Sequence, residues 1–284
     1  MQHSSFLEYK RYRYLKAAAL LCLLATGAYG WHRSTRFDTP GGVGYGGSWM
    51  GYVLGTVAAL LVVWLGLLGV RKRSHRASLT SVQGWLSAHI YLGIAVLVVA
   101  TLHTGLEFGV NLHTLAYVLL VLVVVSGLYG VLVFTQVPAR MTSAMGDDSI
   151  QTLLSQIQEI DQQARKTAIR LPDEFNQLVL DAAEKTRMRG TVFDHILKST
   201  SRRCPTTRAI TRMQALNRSL KDEQGRLGRE VLGLMLSRSA AVRRIRGEYR
   251  ALARLRLWLM LHVPISCALV CALAGHIVSV FIYW

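Results

Sequence analysis

Four of the chain's nine histidines form two pairs with one spacing. His89 and His103 lie in "WLSAHIYLGIAVLVVATLHTG", which starts at Trp85, and His262 and His276 lie in "WLMLHVPISCALVCALAGHIV", which starts at Trp258. At an offset of 173 residues Trp85 meets Trp258, Leu86 meets Leu259, Ala95 meets Ala268, and each histidine meets a histidine. Fourteen residues are nearly four helical turns, so the two side chains of a pair differ by about 40° in azimuth and leave one face about 21 Å apart. Two imidazoles facing each other across a bundle can fill both axial positions of a haem iron, each through a neutral nitrogen. Two such levels predict two b-type haems, with His89 and His262 at one and His103 and His276 at the other.

Other readings of histidine exist. A lone intramembrane histidine often hydrogen-bonds to a neighbouring helix, and that is the reading for His113. His32 and His75 read as interfacial, His3 and His195 as solvated. For the two equal pairs, metal transport and structural bonding are the alternatives to haem, since polar residues in lipid are costly and mark function. Gly93, Gly105, Gly127, Gly130 and Gly275 lie in or near the same segments, where they would let a flat macrocycle approach or serve ordinary helix packing. Pro264, two residues after His262, predicts a bend. Arg71, Arg73, Arg76, Arg254 and Arg256 either pair with haem propionates or act as topology charges.

These histidines must be positioned by membrane spans. Half of the 284 residues are hydrophobic, and the formal charge is +17. Five apolar segments run from about 14 to 31, 48 to 70, 82 to 106, 112 to 134, and 255 to 284. A helix crosses the hydrocarbon core with about 20 apolar residues. The first segment is shorter and follows "YKRYRYLK", so a signal peptide is its alternative; "ATGAYG" lacks a clean cleavage pattern, which favours an uncleaved span.

Charge predicts the orientation. Lys10, Arg11, Arg13 and Lys16 precede the first span, and Arg71, Lys72, Arg73 and Arg76 separate the second from the third. From Val137 to Ala253 there are 21 Lys and Arg against 13 Asp and Glu. The other two loops carry only Arg33, Arg36, Asp38 and Glu107. Positive loops alternate as a five-span protein with an inside N-terminus and an outside C-terminus requires. Because the basic residues flank apolar spans on one side, nucleic acid is not an expected partner. Spans three and five are then parallel, with His89 and His262 at the inner level and His103 and His276 at the outer.

The cysteines are Cys22, Cys204, Cys267 and Cys271. No C-x-x-C-H occurs, which argues against covalent c-type haem, and no four-cysteine cluster suggests an iron–sulfur centre. The glycine-rich loop "HRSTRFDTPGGVGYGG" lacks the flanking strand and helix of a nucleotide site.

The expected fold is all-α: a polytopic membrane bundle of five transmembrane helices with a helical cytoplasmic insertion between the fourth and fifth. The expected organisation is spans one to four over 1–136, a cytoplasmic helical domain over 137–253, and the fifth span over 254–284. In the insertion Ile150, Leu153, Leu154, Ile157 and Ile160 form one helical stripe. Pro172, Asp173 and Glu174 open a helix reaching Gly190. "SRRCPTT" is a break, and a pattern carrying Ile210, Met213, Leu216 and Leu220 leads towards the fifth span.

Two parallel helices each carrying H-x13-H resemble the di-haem cytochrome b core of quinol–cytochrome c reductases. "LHTGLEFG" and "HVPISCALVCALAGH" are similar to that family's ligand helices, and histidines on the third and fifth spans also resemble the ferric reductase and NADPH oxidase transmembrane domain. The resemblance covers the membrane half of the chain. It implies two bis-histidine haems b, with His89 and His262 as inner ligands and His103 and His276 as outer ones. The quinol-oxidation motif Pro-Glu-Trp-Tyr is absent, no flavin or nicotinamide domain follows the last span, and the insertion belongs to neither pattern.

The function expected is electron transfer across a bilayer, the bacterial inner membrane, between partner redox proteins (cytochrome c or iron–sulfur subunits) or the quinone pool. The alternatives are a quinol-oxidising or reductase subunit with its own substrate site, and a non-redox scaffold or sensor.

Overall fold

The computed structural model describes residues 6–35, 47–73, 81–136, 146–186 and 204–282. Among them every regular element is a helix. A 3-10 turn (Phe6–Glu8) leads into α1 (Tyr9–Thr35), followed by α2 (Trp49–Arg73), α3 (Val82–Thr104) and α4 (Leu112–Gln136). Then come α5 (Gly146–Ala168), α6 (Asp173–Lys185), α7 (Pro205–Leu216) and α8 (Asp222–Ile282). Five of these helices are long and apolar enough to cross a membrane: α1 with its leading turn, α2, α3, α4 and α8. The chain is therefore an all-α membrane helix bundle. Leu23, Leu24, Leu60 and Phe281 are each more than half exposed on these helices; lipid is the medium that solvates such surface.

The chain divides into two compact units, Met1–Gly130 with Leu259–Trp284, and Val131–Trp258. Both boundaries fall inside helices, α4 and α8.

In the first unit α3 is the central element. Ser81 caps its start, its hydroxyl accepting from the Gly84 N–H at 3.1 Å, and Gly105 ends it at φ 59°, a left-handed conformation that glycine adopts without steric cost. Asn111 caps α4 in the same way through the Thr114 N–H at 2.8 Å. Together they make the short connection that the sequence predicts between the third and fourth spans. The core draws Ala25 from α1, Leu54, Ala58 and Val62 from α2, Val96, Val99 and Ala100 from α3, Leu120 from α4 and Leu269 from α8. Small residues on α3 let α1 and α2 approach its backbone closely, and Leu120 of α4 and Leu269 of α8 pack into the same core. Near the start of α1, Lys10, Arg11 and Tyr12 take φ 45°, 56° and 61°, so the unbroken right-handed helix begins only after Tyr12, close to the predicted Tyr14.

The second unit holds the insertion. Phe175 and Val179 of α6, Ala209, Ile210 and Met213 of α7, and Leu227, Val231 and Met235 of α8 share one core, with Leu216 and Leu220 packed against it. Leu153 and Ile157 of α5 pack on Ala241, Val242 and Ile245 of α8. These are the stripes that the sequence predicts, with the side chain of Ile150 outside the described residues; the helix expected to reach Gly190 ends earlier, at Lys185, because Thr186 turns to extended backbone at φ -81° and ψ 97°. Arg238 is fully buried in this unit and paired with Asp161 at 2.6 Å, with the Thr206 hydroxyl completing its hydrogen bonds.

The long pattern from Thr206 is two helices. It breaks at Asn217, where the Arg218 and Ser219 N–H groups fold back on Ala215 and Leu216, and it restarts at Asp222 with φ 52°. From there α8 runs unbroken for 61 residues to Ile282, through Pro264.

Candidate functional site

Two of the paired histidines are anchored in the same way. His89 Nδ1 lies 3.2 Å from the Leu65 carbonyl oxygen, and His103 Nδ1 lies 2.7 Å from the Gly51 carbonyl oxygen. A carbonyl oxygen only accepts, so in each ring Nδ1 carries the proton and Nε2 keeps its lone pair. That is the tautomer of an imidazole prepared to bind a metal, with the second nitrogen held by a backbone acceptor. The acceptors on α2 are fourteen residues apart, like the histidines on α3, and run in the opposite direction. Two antiparallel helices therefore repeat one contact at two levels.

Gly55 makes the second contact possible. A Cβ there would lie 2.7 Å from His103 Cε1 and 2.9 Å from Nδ1. Gly51 offers the acceptor and Gly55, one turn on, offers the space.

His262 uses a different anchor. Its Nδ1 is 2.7 Å from the Ser126 hydroxyl of α4. That hydroxyl donates to the Val123 carbonyl oxygen at 3.0 Å, so its own proton is committed and it accepts from His262. The lone pair is again on Nε2. The His262 carbonyl oxygen accepts from the Ser266 hydroxyl at 2.7 Å.

The structure brings His103 and His276 together and adds His113 from α4. The ring centres are 6.3 Å apart for His103 and His276, 5.2 Å for His103 and His113, and 4.9 Å for His113 and His276. One nitrogen of each ring lies within 4.8 Å of the others. His113 Nδ1 also sits 3.4 Å from His276 Nε2, so the predicted hydrogen bond to a neighbouring helix exists, and its acceptor is one of the paired histidines.

This donor set fits a metal. With a metal–nitrogen distance of about 2 Å, two trans imidazoles have ring centres about 6 Å apart, close to the separation of His103 and His276. The fit to haem carries one condition. His113 flanks the space between the other two rings, and a flat macrocycle there requires its ring to turn aside.

His89 and His262 are anchored to α2 and α4 respectively. One turn before His89, Trp85 stacks on Trp64 with ring centres 4.7 Å apart. His32, read as interfacial, is 7 % exposed and meets Trp49 edge-on. His3, His75 and His195, and the side chains of Arg71, Arg73 and Arg76, lie outside the described residues. Gly127 faces the His262 ring, with a Cβ position 3.5 Å from Cε1.

Sequence reasoning did not find Gly51, Gly55 or Ser126, nor the cluster that His113 joins. The signal available for the first two was the G-x-x-x-G spacing in the second span; for Ser126 it was a hydroxyl alone in an apolar run. Comparison with protein-family models, curated proteins and solved structures gives no match to this chain.

Proposed function

We propose that the protein is an integral-membrane b-type cytochrome that carries electrons between the two faces of a bilayer on two haems. Bound haem would supply one-electron chemistry, and the protein would set its position, potential and access. His89 and His262 would hold the inner haem, His103 and His276 the outer.

One observation carries the reading. The Nδ1 anchors of His89 and His103 repeat at fourteen residues on both α2 and α3, and Ser126 does the same for His262. An Nδ1–H held by an acceptor orients the ring and leaves the lone pair on Nε2, the arrangement that favours metal ligation. Two imidazoles per haem would leave no open coordination position, so electron transfer is favoured over oxygen chemistry. Redox subunits bearing cytochrome c or iron–sulfur centres, or quinone, would serve as donor and acceptor. The basic-loop pattern favours an inside N-terminus and an outside C-terminus in a bacterial inner membrane. A reporter fused after Trp284 tests that orientation; activity on the cytoplasmic side would refute it.

The decisive experiment is haem stoichiometry and low-temperature spectroscopy of the purified chain. Two low-spin haems per chain are expected. His89→Ala and His262→Ala should remove one haem, and His103→Ala and His276→Ala the other. A parent protein without haem absorbance would sink the proposal.

The three-ring cluster favours a second reading of the outer level: a transition-metal ion held by His103, His113 and His276 in place of the outer haem. Metal analysis separates the two, because this reading requires one haem and one non-haem metal per chain.

A further inference from the structure

The second unit contains a cavity of about 250 Å³ lined by Val133 of α4 and by Gly247, Arg250, Ala251 and Arg254 of α8. Gly247, Arg250, Ala251 and Arg254 follow the three- and four-residue spacing of one helical face. A Cβ at Gly247 would meet nothing within 4 Å, so the space in front of this residue is open. Among the described residues neither Arg250 nor Arg254 has an ion-pair partner. The neighbouring carboxylate, Glu248, is engaged by Arg244 at 3.7 Å.

The place of this cavity in the chain is informative. Val133 is the last buried apolar residue before the end of α4, and Arg254 immediately precedes the apolar stretch of α8 that begins at Leu255. Both helices are long and apolar enough to cross a membrane, so the cavity lies where two spans meet the polar boundary. Leu132, beside it on α4, is 62 % exposed.

We propose that this cavity binds the phosphate group of an anionic phospholipid. Arginine matches phosphate with a planar fork of donors, and two guanidiniums one turn apart can hold one phosphodiester from two sides. Basic pockets at the ends of spans select anionic headgroups through charge, while the acyl chains lie along the adjacent apolar helix surface. Val133 and Gly247 supply the shape: one closes the apolar side, the other leaves room for the glycerol. The site is independent of the haem reading.

The test uses the full chain, purified and exchanged into phosphatidylcholine nanodiscs doped with phosphatidylglycerol, with bound lipid counted by native mass spectrometry. The parent should retain phosphatidylglycerol in preference to phosphatidylcholine. Arg250→Gln with Arg254→Gln should lower that retention roughly tenfold or more. Gly247→Leu should lower it as well while keeping both charges, since Gly247 lines the cavity and its Cβ position is clear of the protein. Arg243→Gln with Arg256→Gln removes the same charge from exposed positions that do not line the cavity, and should leave retention near the parent value. Far-ultraviolet circular dichroism and size-exclusion elution, recorded for every variant, report folding separately. Equal loss in the Arg243/Arg256 control would reduce the effect to general surface charge and overturn the site. Displacement of the lipid by inorganic phosphate at millimolar concentration would make it a free-phosphate site and overturn the lipid assignment. Full retention in Gly247→Leu would also overturn it.

Discussion

The His103 ring lies against Gly55, with no space for a Cβ between them, and donates from Nδ1 to the Gly51 carbonyl oxygen at 2.7 Å. Position and tautomer of one imidazole are thus set by two glycines one turn apart on a neighbouring helix. Gly55→Val should push the ring out of this seat at an overpacking cost of about 1–3 kcal/mol. If the proposed haems are bound, the expected result is loss of the outer one with the inner one retained, read by haem stoichiometry. Retention of both haems would mean that the glycine serves packing alone.

His113 separates the two readings of the outer level. If the outer group is haem on His103 and His276, His113→Ala removes a ring that must turn aside. Haem content should then stay at two per chain, with a shifted spectrum for one of them. If the outer level is a three-histidine metal centre, the same substitution should remove the non-haem metal and leave the single haem untouched.

Outside the membrane spans, Cys204 should have an unusual thiol. It sits at the start of α7. Burial raises its pKa, but the Arg246 guanidinium and the N–H groups of Thr206 and Thr207 outweigh that and bring it below the ordinary thiol value. A thiol whose folded pKa is depressed contributes stability that is fully present above its unfolded pKa and is lost as pH falls through the folded one. In a chain with Cys22, Cys267 and Cys271 changed to serine, Arg246→Gln should move the thiolate absorbance titration to higher pH. An unmoved titration would remove Arg246 as the cause.

The fold was legible because its signals are local and periodic. The lengths of the spans, the stripe of Leu153 and Ile157, and the start of α6 at Asp173 all follow from spacing along the chain. The break at Asn217 was missed because apolar spacing continues across it, while the interruption is a matter of backbone turns and of a positive φ at Asp222. Arg238 was missed for a related reason. A charged residue in an amphipathic helix reads as solvated, and only the arrival of Asp161, 77 residues away in sequence, shows that it is buried and paired. At the candidate site the four histidines could be found from their repeat. Their anchors could not, because a backbone carbonyl has no signature in sequence and Ser126 is one hydroxyl among many.

Ser126 gives the most selective handle on the inner level. Its hydroxyl accepts from His262 Nδ1 at 2.7 Å while donating to Val123. An imidazole whose Nδ1–H is bonded to an acceptor is a more basic ligand through Nε2, and a more basic ligand favours the ferric state. Ser126→Ala removes the acceptor and leaves His262 itself in place, so the inner haem should remain bound. Its midpoint potential should rise by on the order of tens of millivolts, given that a tenfold change in relative affinity is about 59 mV for one electron. Ser126→Thr keeps a hydroxyl and should restore most of the parent potential. The outer haem should be unaffected by either change, since Ser126 is bonded to His262 and not to the outer rings. A redox titration resolving the two haems checks all three expectations. An unchanged or lower inner potential with Ser126→Ala would mean that the hydroxyl does not hold the Nδ1–H of a ligating His262.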